Sequence, residues 1–404
     1  MQQRVVITGM GAVTPLGHSA DSTWAAMREG RVAIGPITTL PREQLRYGIA
    51  AEVTGFDPLA HFDEKKLILF DRVSQFALVA AREAVAQSGI DFAADGIGEN
   101  TAVIIGTGIG GEHTHDEASR RLYGENNPRT HPLTIVRLMA NAPACQISIE
   151  HKLTGPAFAT SSACASANHA LAQAFHMVRS GVADAAVAGG TEACITLGVI
   201  KAWEAMRIMA DDTCRPFSKQ RRGMVLGEGA AVFVLETLER AQRRGATILA
   251  EFAGAGMSAD AGDIVFPSEA GAAKAIQRAL ADAGLAVDDI DYINAHGTGT
   301  PGNDPTESKA IRRVFGAHAD ALAVSSTKSM HAHALGAAGA IELVATIGAL
   351  RDGVVPPTMN FLDPDPECDL DYVPNAAREL PVRAALSNSF AFGGLNAVLA
   401  LRRA

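Results

Sequence analysis

Aromatic side chains are scarce in this chain: only 5% of its 404 residues are Phe, Trp or Tyr. The core must then come from small aliphatic residues, which a 48% hydrophobic content and 39 glycines supply. Small side chains let backbones approach, so closely packed helices on buried sheet are expected. Basic charge is also short, with 35 Lys and Arg against 44 Asp and Glu and a net charge of -9. That balance argues against nucleic-acid binding, which needs a basic surface to displace counterions, and an acidic partner would need a local basic patch. The five cysteines, at 145, 164, 194, 214 and 368, are an odd number without CxxC spacing. Neither a disulfide frame nor a structural zinc site is favoured. No apolar run approaches ~18 residues. The first residues run straight into the strand-like Arg4-Val5-Val6-Ile7-Thr8 without a charged-then-apolar leader, so a cytoplasmic protein with no stable membrane insertion is expected.

What is present is a plan that occurs twice. An alanine-rich helical pattern from Phe76 to Gln87 leads through Ser88-Gly89-Ile90 to the strand Ala102-Val103-Ile104-Ile105 and Gly106-Thr107-Gly108. A second helical pattern, Ala273 to Asp282, leads through Ala283-Gly284-Leu285 to Asp291-Tyr292-Ile293-Asn294 and Gly297-Thr298-Gly299. Two further helices close alike, with Arg179-Ser180-Gly181-Val182 and Arg351-Asp352-Gly353-Val354, where glycine suits a left-handed cap. The repeat implies an α/β fold of two halves, 1–245 and 246–404, each with a mostly parallel sheet covered by helices. The seam falls near Arg243-Arg244-Gly245-Ala246, with no low-complexity linker.

Three segments carry reactive groups. Cys164 follows the strand-like Ala157-Phe158-Ala159-Thr160 and opens the alanine-rich run to Val178. At a helix start, free N–H groups and the dipole favour thiolate and can bind an oxyanion. His296 ends the strand Tyr292-Ile293-Asn294, where sites collect in parallel folds, and Thr298 and Thr300 beside it could grip an amide-bearing substrate arm. His333 lies after Lys328 and before a helix expected from Ala334 to Leu350; Glu342 on that helix needs a cation if it faces inward, and Lys328 is the candidate. A cysteine to hold an acyl group, with two neutral histidines to stabilise charge on a second carbonyl, is the equipment of carbon–carbon bond formation on a thioester. The stretch Ser387 to Gly394, containing Phe390, Phe392 and Gly393, reads as a sharp turn or a moving flap whose N–H groups could bind an oxyanion. Gly106-Thr107-Gly108-Ile109-Gly110-Gly111 matches the dinucleotide fingerprint, a weak signal alone, and Ile109 is instead expected to border an acyl pocket. His113-Thr114-His115 and His331-Ala332-His333 look like metal pairs but lack an acidic third ligand at useful spacing.

With its STKSMHAH and SNSFAFGGLN stretches around these residues, the chain resembles the elongating beta-ketoacyl-acyl carrier protein synthases over essentially its whole length. Its His331-Ala332-His333 is most similar to the nodulation-protein-E type. The resemblance implies a thiolase-like fold, two duplicated halves in a five-layered αβαβα sandwich, a homodimer, and no cofactor beyond the phosphopantetheine arm of acyl carrier protein. It also implies a ping-pong Claisen condensation through acyl-Cys164, elongating the chain by two carbons. Cys164 and Phe392 N–H groups would form the acyl oxyanion hole, Lys328 would pair with Glu342, and Asp304 and Glu307 would support the site. Thr298 and Thr300 would contact phosphopantetheine, and Phe392 would gate the acyl pocket. Carrier docking is expected at Lys65, Lys66, Lys201 and Arg207, with Met206 standing where an arginine is common. A non-catalytic chain-length subunit would lack Cys164, and a degradative thiolase would need a second cysteine near Gly393-Gly394, where only the more distant Cys368 is available.

Overall fold

The computed structural model describes residues 3–404. Ten strands form the main sheet: β1 (Val5–Val13), β2 (Thr101–Gly106), β3 (Ala157–Thr160), β4 (Ala185–Glu192) and β5 (Gly229–Thr237) from the first part of the chain. The second part supplies β6 (Ala250–Ala259), β7 (Tyr292–Asn294), β8 (Ala323–Ser325), β9 (Ala384–Ala391) and β10 (Leu395–Arg402). Across the sheet the order is β8-β7-β9-β10-β6-β1-β5-β4-β2-β3. Counting outward from β1 or from β6, each set of five takes its strands in the same order: first, fifth, fourth, second, third. Directions repeat too. In each set the second strand is parallel to the third and fourth, while the fifth is antiparallel to the fourth and first. The expectation of mostly parallel sheets is thus corrected to mixed ones: the fifth strand of each set returns beside its predecessor and closes the sheet against the parallel grain. The sets meet where Val5–Ile7 pairs with Ala250–Phe252.

Seven helices matter for the site: α1 (Arg72–Ser88), α2 (Ala142–His151), α3 (Ser166–Ser180), α4 (Leu197–Met206), α5 (Glu269–Ala283), α6 (Asn303–Phe315) and α7 (Ala338–Asp352). Amphipathic α1 packs Phe76 and Leu78 against Val103, Val187 and Val232 on one outer face. On the opposite outer face, Ile276 of α5 and Ile311 of α6 cover Ile293, Leu386 and Val398. Between the two sets lie α3 and α7, whose Leu171, Phe175, Ile341 and Ile347 share one core with Ile104 and Phe233 of the first set and Phe252 and Leu399 of the second. The middle position explains why α7 is apolar nearly all round: every residue from Ala338 to Leu350 is buried. Helix, sheet, helix, sheet, helix make five layers, as the resemblance implies. Left-handed caps stand at Gly89, Gly181, Gly284 and Gly353, as the sequence pattern requires.

Candidate active site

Cys164 sits on a tight elbow between β3 and α3. Ala163 adopts φ 49°, an uncommon conformation for a residue with a Cβ, and the turn aims the thiol inward. The Ser166 hydroxyl holds the elbow by donating to the Ala163 carbonyl at 2.7 Å and accepting from the Ser162 N–H at 2.9 Å. A side chain at Gly106 would collide with the Ser166 backbone, so the end of β2 fixes where α3 begins.

The equivalent elements of the second set deliver the histidines. His296 follows β7, and its backbone N–H and that of Gly297 donate to Glu307 of α6 at 2.9 and 2.8 Å. Asp304, one turn earlier, accepts from the N–H groups of Phe217 and Gly299. His333 follows β8, but not at the start of the long helix. A tight turn at Leu335–Ala337 intervenes and α7 begins at Ala338, four residues later than expected.

These segments converge. The His333 Nε2 lies 3.0 Å from the Cys164 sulfur, and the two imidazole rings cross edge to face with centroids 5.4 Å apart. Donor atoms of Cys164, His296 and His333 all lie within 4.8 Å of one another, and all three residues are buried. Lys328 reaches them from behind. Its ammonium donates to the His296 carbonyl at 2.7 Å, lies 3.4 Å from the same residue's Nδ1, and is bonded to Glu342, with both partners fully buried. An ammonium only donates, so Nδ1 of His296 is the unprotonated nitrogen and its proton sits on Nε2.

Electrostatics fit neutral imidazoles. Burial, then Lys328, then the neighbouring histidine hold His296 and His333 well below the usual histidine range. Burial also pushes the Cys164 thiol up to about 12, against the opposing pull of Lys328 and the Phe392 N–H. The expectation that the helix start favours thiolate is therefore corrected: desolvation outweighs the dipole, and the neutral thiol is favoured, 3.0 Å from the His333 Nε2. Burial raises Glu342 to about 7 and Asp304 to about 6, opposed by Lys328 and by the Phe217 N–H respectively.

Cys164, His296 and His333 open into a cavity of about 280 Å³ whose walls include Thr298, Thr300, Phe390 and Phe392. The Thr298 and Thr300 hydroxyls lie 2.9 Å apart. Phe390 packs its ring 6.2 Å from His296, while Phe392 lies 5.9 Å from Trp203, at the turn of the β9–β10 hairpin. Gly393, at φ 81°, donates its N–H to the Ile264 carbonyl and ties that turn to the 260–267 loop. Arg207 lines the cavity; Arg222, which sequence reasoning left as a motif residue, lines it as well. Lys201 instead spends its ammonium on Glu204 at 2.8 Å, and Lys65 and Lys66, on the short Glu64–Leu67 helix, are not part of the wall. Ile109 is likewise outside this cavity, 39% exposed. Cys368 packs away from it, beside Ser308 and Arg221.

The dinucleotide fingerprint is answered by Glu192, which no sequence signal marked. Its buried carboxylate accepts from the N–H groups of Gly108, Ile109 and Gly336 and from the Thr107 hydroxyl. The chain's own anion fills the slot a pyrophosphate would need, and it ties the loop after β2 to the turn after His333. Buried oxygens without hydrogen-bond partners gather elsewhere, at Asn294 Oδ1, Glu342 Oε2 and Ser387 Oγ, with Asn294 and Ser387 paired in register across β7 and β9. Acceptors left without donors are what a monovalent cation would satisfy.

Comparison with known proteins agrees with this geometry. Residues 2–241 match the beta-ketoacyl synthase N-terminal domain and residues 249–362 its C-terminal domain. Nodulation protein E of Rhizobium sp. (strain N33) is 51% identical, covering 100% of both chains. The 3-oxoacyl-[acyl-carrier-protein] synthase 2 of Staphylococcus aureus (strain COL) is 43% identical over 99% of this chain and 98% of its own. The structure of the ishigamide ketosynthase/chain length factor superposes with a TM-score of 0.95 at 37% identity, covering 100% of both chains. A thiol and two imidazoles brought to one cavity by a twice-repeated strand order, with these matches over the whole length, place the chain in the beta-ketoacyl synthase family.

Proposed function

We propose that this protein is a 3-oxoacyl-acyl carrier protein synthase, joining an acyl group held on Cys164 to the two-carbon unit left when a malonyl thioester loses carbon dioxide. The observation that carries the reading is the convergence of Cys164, His296 and His333 on one cavity. In the first half-reaction the Cys164 sulfur attacks the carrier-bound acyl thioester. Its proton passes to the His333 Nε2, 3.0 Å away, and then to the departing pantetheine sulfur. Backbone N–H groups of Cys164 and Phe392, both of which already favour negative charge on this sulfur, receive the tetrahedral oxyanion.

In the second half-reaction malonyl carrier protein occupies the same cavity, its arm against Thr298 and Thr300. Decarboxylation leaves an enolate oxygen that accepts hydrogen bonds from the Nε2–H groups of the two neutral histidines. Once Cys164 is acylated it no longer donates to the His333 Nε2, and because Nδ1 has no partner the ring proton moves from Nδ1 to Nε2, the reverse of the tautomer that accepts the thiol proton. The carbanion then attacks the Cys164 thioester carbonyl and expels the sulfur as thiolate, which takes up one proton from solvent to regain the resting thiol. Lys328 and Glu342 are positioning residues that hold His296 in one tautomer. Carrier docking belongs at the cavity mouth, where Arg207 and Arg222 present charge.

A homodimer fits the surface. Among the described residues strand β3 pairs only with β2, so its other edge offers unpaired backbone groups. Phe158 on that strand is exposed, as are Ile109, Ile135, Val136 and Met139. No helix among the described residues is long and apolar enough to cross a membrane, consistent with work in the cytoplasm. The halves divide at about residue 245, where the β1–β5 set gives way to the β6–β10 set. The test is product formation: acyl and malonyl carrier proteins with this enzyme should yield a 3-oxoacyl carrier protein two carbons longer. Carbon dioxide release without lengthening would overturn the assignment.

A further inference from the structure

The catalytic cavity carries charge of one sign. In a chain of net charge -9, its walls hold two guanidinium groups, Arg207 and Arg222, and no carboxylate among the described residues. The backbone places the two arginines together, because segments 207–210 and 222–224 run side by side. The Met224 N–H donates to the Ile208 carbonyl at 2.9 Å and the Ala210 N–H to the Met224 carbonyl at 2.8 Å. Gly223 makes the approach possible: at φ 143°, a Cβ there would lie 2.2 Å from the Ile208 carbonyl oxygen. The same glycine donates its N–H to the Gly299 carbonyl at 2.9 Å, which sets Arg222 beside the Thr298–Thr300 loop.

Burial orders these groups along the cavity. Cys164 and Thr298 are only 5% and 6% exposed at its floor, Thr300 is half-buried, and the Arg222 side chain at the mouth is 65% exposed. Arg207 is exposed as well, and the nearby ion pairs Lys201–Glu204, Arg215–Asp212 and Arg222–Asp211 leave it without a carboxylate. Arg222 reaches Asp211 at 3.5 Å with both side chains more than half exposed, and a pair of that length and exposure is weak and yields to a better anion.

We infer, on the reading of Thr298 and Thr300 as the grip on a pantetheine arm, that Arg207 and Arg222 bind the phosphodiester joining that arm to its carrier. The arm is neutral from its sulfur outward until the phosphodiester at its far end, which carries a single negative charge. A cavity whose charged wall groups stand only at its mouth matches that distribution. Guanidinium forks donate parallel hydrogen bonds to two phosphate oxygens, so they hold this group by shape as well as charge. The rim thus reads the arm itself rather than the acidic side chains of the carrier. It sets thioesters on a phosphorylated arm apart from those on plain pantetheine.

The experiment measures binding of two synthetic arms to the full-length protein by calorimetry: S-methylpantetheine, and the same molecule bearing a methyl phosphodiester on its 4′ oxygen. Neither has a thioester or a carrier, so the readout does not require condensation. The diester should bind about tenfold tighter at low salt, an advantage that shrinks as ionic strength rises. Arg222→Gln should cut the advantage to about threefold, and Arg207→Gln with Arg222→Gln should remove it, the two arms then binding alike. Asp211→Asn releases Arg222 from its competitor and should strengthen diester binding about twofold. No measurable binding of the diester, equal affinity of the two arms for the unaltered protein, or an advantage that survives the double substitution would overturn the role given to these arginines. Acylation of Cys164 by an acyl carrier thioester, read on the same preparation, separates that result from a failure of the condensing reading, which acylation would survive.

Discussion

The two five-stranded sets of this protein share strand order and direction, yet they present different chemistry at matching places. After its third strand the first set delivers Cys164 and the second delivers His333. After its second strand the first set offers the Gly106–Gly108 loop and the second offers His296. Both of these latter loops have their N–H groups held by a buried glutamate, Glu192 in one and Glu307 in the other. One framework thus supplies a nucleophile from one side and the groups that manage charge from the other. The comparison teaches that the duplicated scaffold sets where side chains meet, while the residue types at the strand ends set which chemical groups each side brings there.

The division is broken most directly by Cys164→Gln, which should abolish condensation while malonyl decarboxylation persists. His296→Ala should do the reverse, leaving Cys164 acylation and cutting decarboxylation by about 10²–10³, the scale of one lost oxyanion donor. Loss of both half-reactions in either variant would mean the sides are not separable. Lys328→Ala removes the cation that opposes the burial of Glu342, so that carboxyl takes up a proton, and the lost hydrogen bonds to Glu342 and the His296 carbonyl should destabilise the fold by about 1–3 kcal/mol in urea unfolding. The matched glutamates sharpen the comparison. Glu307→Gln should slow decarboxylation by about tenfold with little effect on acylation, since it loosens the loop bearing His296.

A pH series separates a resting thiol from a resting ion pair. With the Cys164 thiol raised to about 12, its thiolate fraction grows throughout the neutral and mildly alkaline range. Alkylation by iodoacetamide should then accelerate about tenfold per pH unit from 7 to 9. A rate already level at pH 7 would mean that the thiolate is the resting form. Over the same range both histidines stay neutral, because burial and Lys328 hold their protonation well below the usual histidine range and neither becomes an imidazolium.

Much of this is legible in the amino-acid sequence. Cys164, His296 and His333 each stand at the end of a strand-like run, and Gly181 and Gly353 end the middle helices where a left-handed cap was called for. The Lys328–Glu342 pair was legible because a carboxylate on a helix as apolar as α7 must find a cation. What escaped was long-range and polar. Glu192 looks like an ordinary strand-end acid, and only folding brings Gly108 and Gly336 to its oxygens across 84 and 144 residues. Ser166 reads as one more small helical residue, since its part in the elbow needs the turn to exist first. The antiparallel fifth strands were missed because hydrophobic runs carry no direction. The thiol's state was misjudged for a similar reason: the dipole of α3 is visible in sequence, but the depth of burial that overrides it is not.

The most direct measurement is the intact mass of the protein after exposure to an acyl carrier thioester, with peptide mapping of the adduct. An increase equal to the acyl group, located on Cys164 and absent in Cys164→Gln, is the predicted result. An unmodified Cys164 in protein that is actively turning over, or an acyl group carried by another residue, would contradict the account.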